Sequence, residues 1–203
     1  MKTLLIVLGV LVALVVAGFL YVTGVYNGLV NRSQAVDAQW AQVQNVYQRR
    51  ADLIPNLVAT VSGAANFEKS TLTEITEARA SVGKVQINSG GTPSAAQLAE
   101  FEKAQGQLGS ALSRLLVVAE NYPSLKATDN FQTLQSQLEG AENRISVERG
   151  RFNDLARDYN SAIKRVPAVF LAGMFGFKDK AYFAATPGAE VAPKVQFDFA
   201  KKP

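Results

Sequence analysis

Residues 29–61 read LVNRSQAVDAQWAQVQNVYQRRADLIPNLVATV. Along this stretch Leu29, Ser33, Val36, Trp40, Val43, Tyr47, Arg50, Ile54, Leu57 and Val61 follow one another at alternating steps of four and three. Such steps keep one stripe of a helix turned toward a partner, as in coiled coils and antiparallel bundles. The same pattern returns twice downstream, over Leu98, Phe101, Gln105, Leu108, Leu112, Leu115, Ala119 and Tyr122, and over Phe131, Leu134, Leu138, Ala141, Ile145, Glu148, Phe152, Leu155, Tyr159, Ala162 and Val166. A shorter piece carries Phe67, Thr71, Ile75, Ala78 and Val82.

The breaks between stripes agree with this reading. Ser62-Gly63 and Asn66 make a tight reversal, and Asn88-Ser89-Gly90-Gly91-Thr92-Pro93 is a loop leading into a helix. Ser94 with Gln97 forms a capping box, with Pro93 at the helix entrance. Asn121-Tyr122-Pro123-Ser124 closes the next helix, Thr128 or Asp129 caps the last, and Pro167 stops it. The spacing predicts helices over about 27–62, 67–87, 94–121 and 128–166. Pro55 falls inside the first. It cannot donate to the Ala51 carbonyl, but the stripe continues through Leu57 and Val61, so a kink is expected rather than an end.

Upstream, no charged residue occurs from Thr3 to Asn31. Leu4–Tyr26 reads LLIVLGVLVALVVAGFLYVTGVY, 23 almost wholly apolar residues. As a helix this run is ~34 Å long, enough for a hydrocarbon core of ~30 Å. Tyr21 and Tyr26 sit at its far end, where aromatic belts lie. A cleaved signal peptide is the alternative, leaving a secreted soluble bundle. Its apolar core is usually ~7–15 residues with an A-x-A-like site, and here the run is longer and Val22-Thr23-Gly24 is a poor site. Nothing but glycines interrupts the path from this run into the first stripe. Lys2 on one side, against Arg32 offset by Asp37 on the other, favours an N-terminus in the cytoplasm and the bulk outside.

The expected architecture is all-α: an N-terminal transmembrane helix (1–26), an antiparallel four-helix bundle of long helices (27–166), and an irregular, extended C-terminal tail (167–203).

Composition narrows the chemistry. The 203 residues hold 21 Lys+Arg against 17 Asp+Glu, and neither His nor Cys. No disulfide, Cys/His metal site, lipidated cysteine, histidine pH switch, or Ser-His-Asp or Cys-His nucleophile can be built. A di-metal bundle wants Glu-x-x-His, and Glu139, Glu142, Glu148 and Asp154 are too dispersed for one. An all-carboxylate Mg²⁺ or Ca²⁺ site lacks a spacing signature, and no phosphate-binding glycine motif opens a helix. The basic excess is small and mixed along the helices, so nucleic acid is not an expected partner. No cofactor and no enzymatic activity are expected.

The runs YNGLVNRSQAVDAQWAQVQNVYQRRADLIPNLVATV (26–61) and ENYPSLKATDNFQTLQSQLEGAENRISVERGRFNDLARDYN (120–160), with the tail pieces FGFKDKAYF and APKVQFDF, resemble the LemA family of bacterial membrane proteins. QRRADLIPNLV and LEGAENRI are the most specific parts. The resemblance implies a membrane helix, a long-helix bundle and kinship with a protein of the magnetosome membrane, hence a role in membrane organisation, but no established activity. Where the family often has Tyr-His before a glutamate, this chain has Ala65-Asn66-Phe67-Glu68, so no function is assigned there.

Three polar residues interrupt the apolar rows: Arg50, Gln105 and Glu148. A buried charge needs a partner. Either Arg50 pairs with Glu148, or each finds a neighbour such as Asp52 or Arg151, or both lie at the stripe's edge with their stems snorkelling. Arg49, Arg50, Asp52 and Asn56 gather around Pro55, to brace the kink or to bind a partner or an anion.

The stretch 164–203 holds seven basic residues (Lys164, Arg165, Lys178, Lys180, Lys194, Lys201, Lys202) against Asp179, Glu190 and Asp198. Within it, Val166–Phe177 is uncharged and too short to span a bilayer. If the helices run up, down, up, down, this run emerges beside the lipid. Phe170, Met174, Phe175 and Phe177 then dip into the interface, and Lys178 and Lys180 meet anionic head groups. Alternatively the run packs back on the bundle. Val195, Phe197 and Phe199 alternate with polar residues, as a pairing strand or an extended tail. The expected role is a scaffold or interaction module that binds protein partners or itself. A carboxylate-based ligand-binding, metal-binding or enzymatic bundle is the alternative.

Overall fold

In the computed structural model, which describes residues 2–64, 67–85 and 91–184, one unbroken helix, α1 (Lys2–Ser62), carries both the apolar run and the first stripe. No β-branched or glycine cluster is dense enough to stop it, and Pro55 lies within it. The chain then forms α2 (Lys69–Lys84), α3 (Ala95–Ala119), the single turn α4 (Pro123–Lys126), α5 (Asp129–Lys164) and α6 (Ala168–Phe175). Among the described residues there is no strand. The Ser94–Gln97 capping box is present in both directions, and the Thr128 hydroxyl accepts from the Phe131 N–H. Asn121-Tyr122-Pro123 does close α3, but Pro123 also starts α4, as its fixed φ favours.

α1 packs most extensively along α5, and α2 along α3. Contacts between distant residues give the directions. Gln39 meets Glu148 while Arg50 meets Glu142, so α1 and α5 are antiparallel. Asp37 meets Thr92, just before α3, and Val61 shares a core with Leu115 and Ala119, so α3 runs with α1.

The buried residues of α1 are the ten-position row without Ser33. They feed two apolar cores. One joins Trp40, Val43 and Tyr47 to Phe101, Ile145, Phe152 and Tyr159. The other joins Ile54, Leu57 and Val61 to Ile75, Leu108, Leu115 and Phe131. Each such side chain removed from water contributes roughly 1.5–3 kcal/mol before entropy is counted.

α1 extends past this body at its N-terminal end. Residues 2–21 are exposed along their length. It is the one helix among the described residues long and apolar enough to cross a membrane.

The region after Pro167 differs from the irregular tail expected. Val166 precedes a proline and is turned away from helix, so α5 ends, but the chain re-forms α6. Gly176 ends α6 at φ 74°, with Phe177 N–H bonded to the Ala172 carbonyl at 3.0 Å and Gly176 N–H to Gly173 at 3.4 Å. This is the reversal that glycine permits. Residues 177–184 then run extended against α5. The expectations on Asn66, Asn88–Gly90, Lys194, Lys201, Lys202 and the Val195–Phe199 alternation lie outside the described residues.

Candidate functional site

Between the two apolar cores lies a polar layer. Arg50 projects from α1 with its side chain only 4% exposed, while that of Glu142 on α5 is 52% exposed. One guanidinium nitrogen of Arg50 donates to Glu142 Oε1 and the other to Gln105 Oε1 on α3. The guanidinium carbon lies 5.2 Å from the Tyr47 ring centre, a cation–π distance. Arg50 is therefore neither paired with Glu148 nor snorkelling at an edge. Glu148 belongs to a different level: it accepts from Gln39 Nε2 at 2.6 Å and from Arg151 at 2.9 Å. The antiparallel register accounts for this, since Gln39 and Arg50 are separated by about 16 Å along α1.

Above Arg50 a groove of about 690 Å³ opens between α3 and α5. Its floor is Arg50 and Gln105, its apolar wall includes Leu112 and Leu138, and Glu102 and Arg149 stand at the rim. Glu102 is bonded to Arg149 at 2.7 Å, Glu142 to Arg50, and Glu139 to Gln135 at 3.1 Å. Among the described residues no group of three or more Asp or Glu is placed to hold a metal ion. The burial of the Tyr47 phenol raises its pKa above 10.0, against the pull of Arg149 and Arg50.

The residues around Pro55 do not converge. Asp52 accepts from Gln48 at 2.7 Å, while Arg49 and Asn56 are exposed. What meets the proline is a residue the sequence reading overlooked. The Ala51 carbonyl, deprived of its helical donor, accepts from Arg79 Nε of α2 at 3.2 Å.

A second overlooked set holds the extended segment. Asn160 binds both backbone groups of Lys180, each at 2.8 Å. Asn153 does the same for Phe183, at 3.0 and 2.9 Å. Seven helical residues and three extended ones both span about 10 Å, so two asparagines on one face of α5 match an extended segment running the opposite way. The only sequence signal was that seven-residue spacing. Phe183 is buried against Trp40 and Phe152, under the Arg149 guanidinium at 4.6 Å.

Lys180 consequently turns inward instead of joining Lys178 at a lipid surface. Its Nζ lies 2.9 Å from Asp37 Oδ1 and 3.0 Å from Thr92 Oγ1. The Thr92 N–H also donates to Asp37, at 2.9 Å. Burial alone raises the Asp37 pKa, but the hydrogen bonds from Thr92 and Lys180 and the ammonium charge outweigh it, leaving the carboxyl below its ordinary 3.8. Gly91 adopts φ +142°, and a side chain there would meet the Asp37 carboxylate at 3.5 Å. Tyr159 is raised above 10.0 by burial, with Asp179 and Asp37 adding to it.

The remaining tail residues divide. Phe175 and Phe177 pack edge-on against Tyr26 of α1, at 5.0 and 5.7 Å. Phe170 and Met174 face outward, and Lys178 is exposed.

A long apolar helix that continues into a packed helical body defines a membrane-associated helical-bundle protein. The LemA family model matches residues 39–197, and the chain belongs to that family. It is similar to the magnetosome protein MamQ of Magnetospirillum gryphiswaldense, 28% identical over 185 residues, covering 81% of this chain and 66% of that one. MamQ 2 of Paramagnetospirillum magneticum is 29% identical over 184 residues, with the same coverage of 81% and 66%. Protein LemA of Metamycoplasma hominis is 25% identical over 145 residues, covering 71% of this chain and 62% of that one. The chain thus spans just under two thirds of the length of these relatives.

Proposed function

We propose that the protein is a single-pass scaffold of a bacterial inner membrane, holding a stiff helical bundle against the lipid and presenting it to protein partners or to further copies of itself. The observation that carries this reading is the continuity of α1. The helix that leaves the apolar run is the same one that supplies Val36, Trp40, Tyr47 and Leu57 to both cores, so the bundle is joined to its anchor without a break in the helix. The bulk lies outside the cytoplasm, by the balance of Lys2 against Arg32 and Asp37. Residues 1–26 form the anchor, 27–166 the bundle and 167–203 the tail, whose described part, 167–184, lies on the membrane side. The relatives named as magnetosome proteins support a role in arranging a membrane.

The groove between α3 and α5 favours a second reading, a ligand-binding bundle. Its carboxylates are already engaged by arginines or by an amide. That disfavours metal-dependent or acid–base chemistry, which needs a carboxylate with an open face, and favours a docking role without catalysis.

The test is crosslinking of the full chain in membranes of its native host, followed by mass spectrometry. The scaffold reading expects the intact N-terminus in the membrane fraction and recurrent crosslinks from α3 and α5 to other polypeptides or to a second copy. A mature chain recovered in the aqueous fraction without residues 1–26 would replace it with the secreted form.

A further inference from the structure

We propose that α6 is a foot lying in the lipid interface. In this arrangement Val166, Phe170 and Met174 are buried at the boundary between head groups and acyl chains, and Arg165 and Lys178 contact anionic head groups. The inference deepens the scaffold reading and rests on α1 being a membrane anchor.

The placement comes from the packing. α6 is amphipathic in an unusual sense, because both of its faces are apolar but only one has a protein partner. α6 packs on α5 and α1, with Ala172 buried in the core and Phe175 edge-on to Tyr26. Phe170 and Met174, spaced four, point away and are 72% and 68% exposed, and Val166, two residues before the helix, is 78% exposed. One side of α6 and the residue before it thus present large apolar side chains that the described residues leave mostly uncovered.

Their position says what covers them. Phe175 packs on Tyr26, and Val25 joins the core beside Ala172. These α1 residues close the apolar run that begins at Leu4. A helix from Leu4 uses up ~30 Å of hydrocarbon after about 20 residues, which puts the edge of the lipid within a turn of Tyr26. α6 thus meets α1 at residues that follow closely on its exposed segment 2–21.

Charge completes the match. Arg165 and Lys178 bracket the helix and are exposed. Asp179 is held by Lys164 at 3.0 Å, and Lys180 is turned inward to Asp37. The uncommitted charge around α6 is positive, as anionic head groups require.

The absence of cysteine makes the test direct. Single-cysteine versions of the full chain, Phe170→Cys, Met174→Cys, Leu11→Cys and Ser136→Cys, are labelled with an environment-sensitive dye. They are reconstituted in vesicles of zwitterionic lipid with about one part in four anionic lipid, with or without lipid spin-labelled at a shallow or a deep position. The proposal expects blue-shifted emission and quenching by the spin label at Phe170 and Met174, quenching at Leu11, and neither at Ser136. It further expects quenching at Phe170 and Met174 to fall when anionic lipid is omitted or when Arg165 and Lys178 are both changed to Gln. Quenching at Leu11 with water-like emission at Phe170 and Met174 overturns the foot and leaves the anchor standing. Blue-shifted emission there without quenching means that protein covers the row, and overturns it as well. No quenching at Leu11 removes the anchor, and the foot with it. Quenching that ignores both anionic lipid and the Gln changes overturns the head-group contact. Each variant is first checked for unchanged helical circular dichroism, which the exposure of these side chains allows.

Discussion

Arg50 shows how one residue can be costly in itself and still define its surroundings. It is buried with a full charge, between two apolar cores, and its carboxylate partner is half in water. Removing Glu142 leaves the guanidinium enclosed with only the Gln105 amide and the Tyr47 ring. Removing the arginine together with Gln105 leaves Glu142 free to face the groove. The two changes therefore differ. Glu142→Ala should destabilise by about 2–3 kcal/mol, below the ~3–5 kcal/mol of a fully enclosed pair because the groove admits water. The Arg50→Met, Gln105→Leu double variant should stay within about 1 kcal/mol of the parent. Thermal unfolding of the full chain in detergent measures both. At this scale the sequence exposed Arg50, Gln105 and Glu148 as polar interruptions of apolar rows. It did not reveal that Arg50 selects Glu142, because Glu142 sits outside the row and enters only through the register of α5 on α1.

The helices were legible nearly to their ends, since capping, proline and glycine act within a few residues. The observed α3 and α5 boundaries fall within two residues of the expected ones. What escaped were the cross-element devices: the Arg79 donor to the Ala51 carbonyl, the paired asparagines under residues 180–183, and the re-formed α6. The first explains how α1 tolerates Pro55. If Arg79 Nε replaces the missing N–H, Arg79→Ala costs about 0.5–1 kcal/mol in the parent. It should then cost almost nothing in a Pro55→Ala background, where residue 55 again donates within the helix. A double-mutant cycle on thermal or denaturant unfolding gives the coupling directly; zero coupling would show that the Arg79 contact does not serve the proline.

Across the whole molecule, Asp37 ties together three segments far apart in the chain: α1, the entrance to α3 through Thr92, and the docked tail through Lys180. Its carboxyl is held below 3.8 in the folded state. A lowered pKa means the unfolded chain binds the proton first, so this stabilisation is complete above about pH 4 and disappears as pH falls through the folded value. The melting temperature of the parent should therefore drop more steeply below pH 4 than that of Asp37→Asn. At neutral pH the variant should be less stable by about 1–2 kcal/mol, having lost a charge-assisted hydrogen bond. Parallel acid profiles for the two proteins would contradict this.

By itself the amino-acid sequence determined what short-range physics controls. It set an apolar run of membrane length, stripes of period three and four, the caps and breaks that bound each helix, and a composition without histidine or cysteine chemistry. The tertiary structure decided how one helix slides past another. That register is a sum of many weak packing contacts along α1, α3 and α5, none of them local. It alone brings Arg50 to Glu142, Arg79 to Ala51, Lys180 to Asp37, and α6 beside the end of the apolar run.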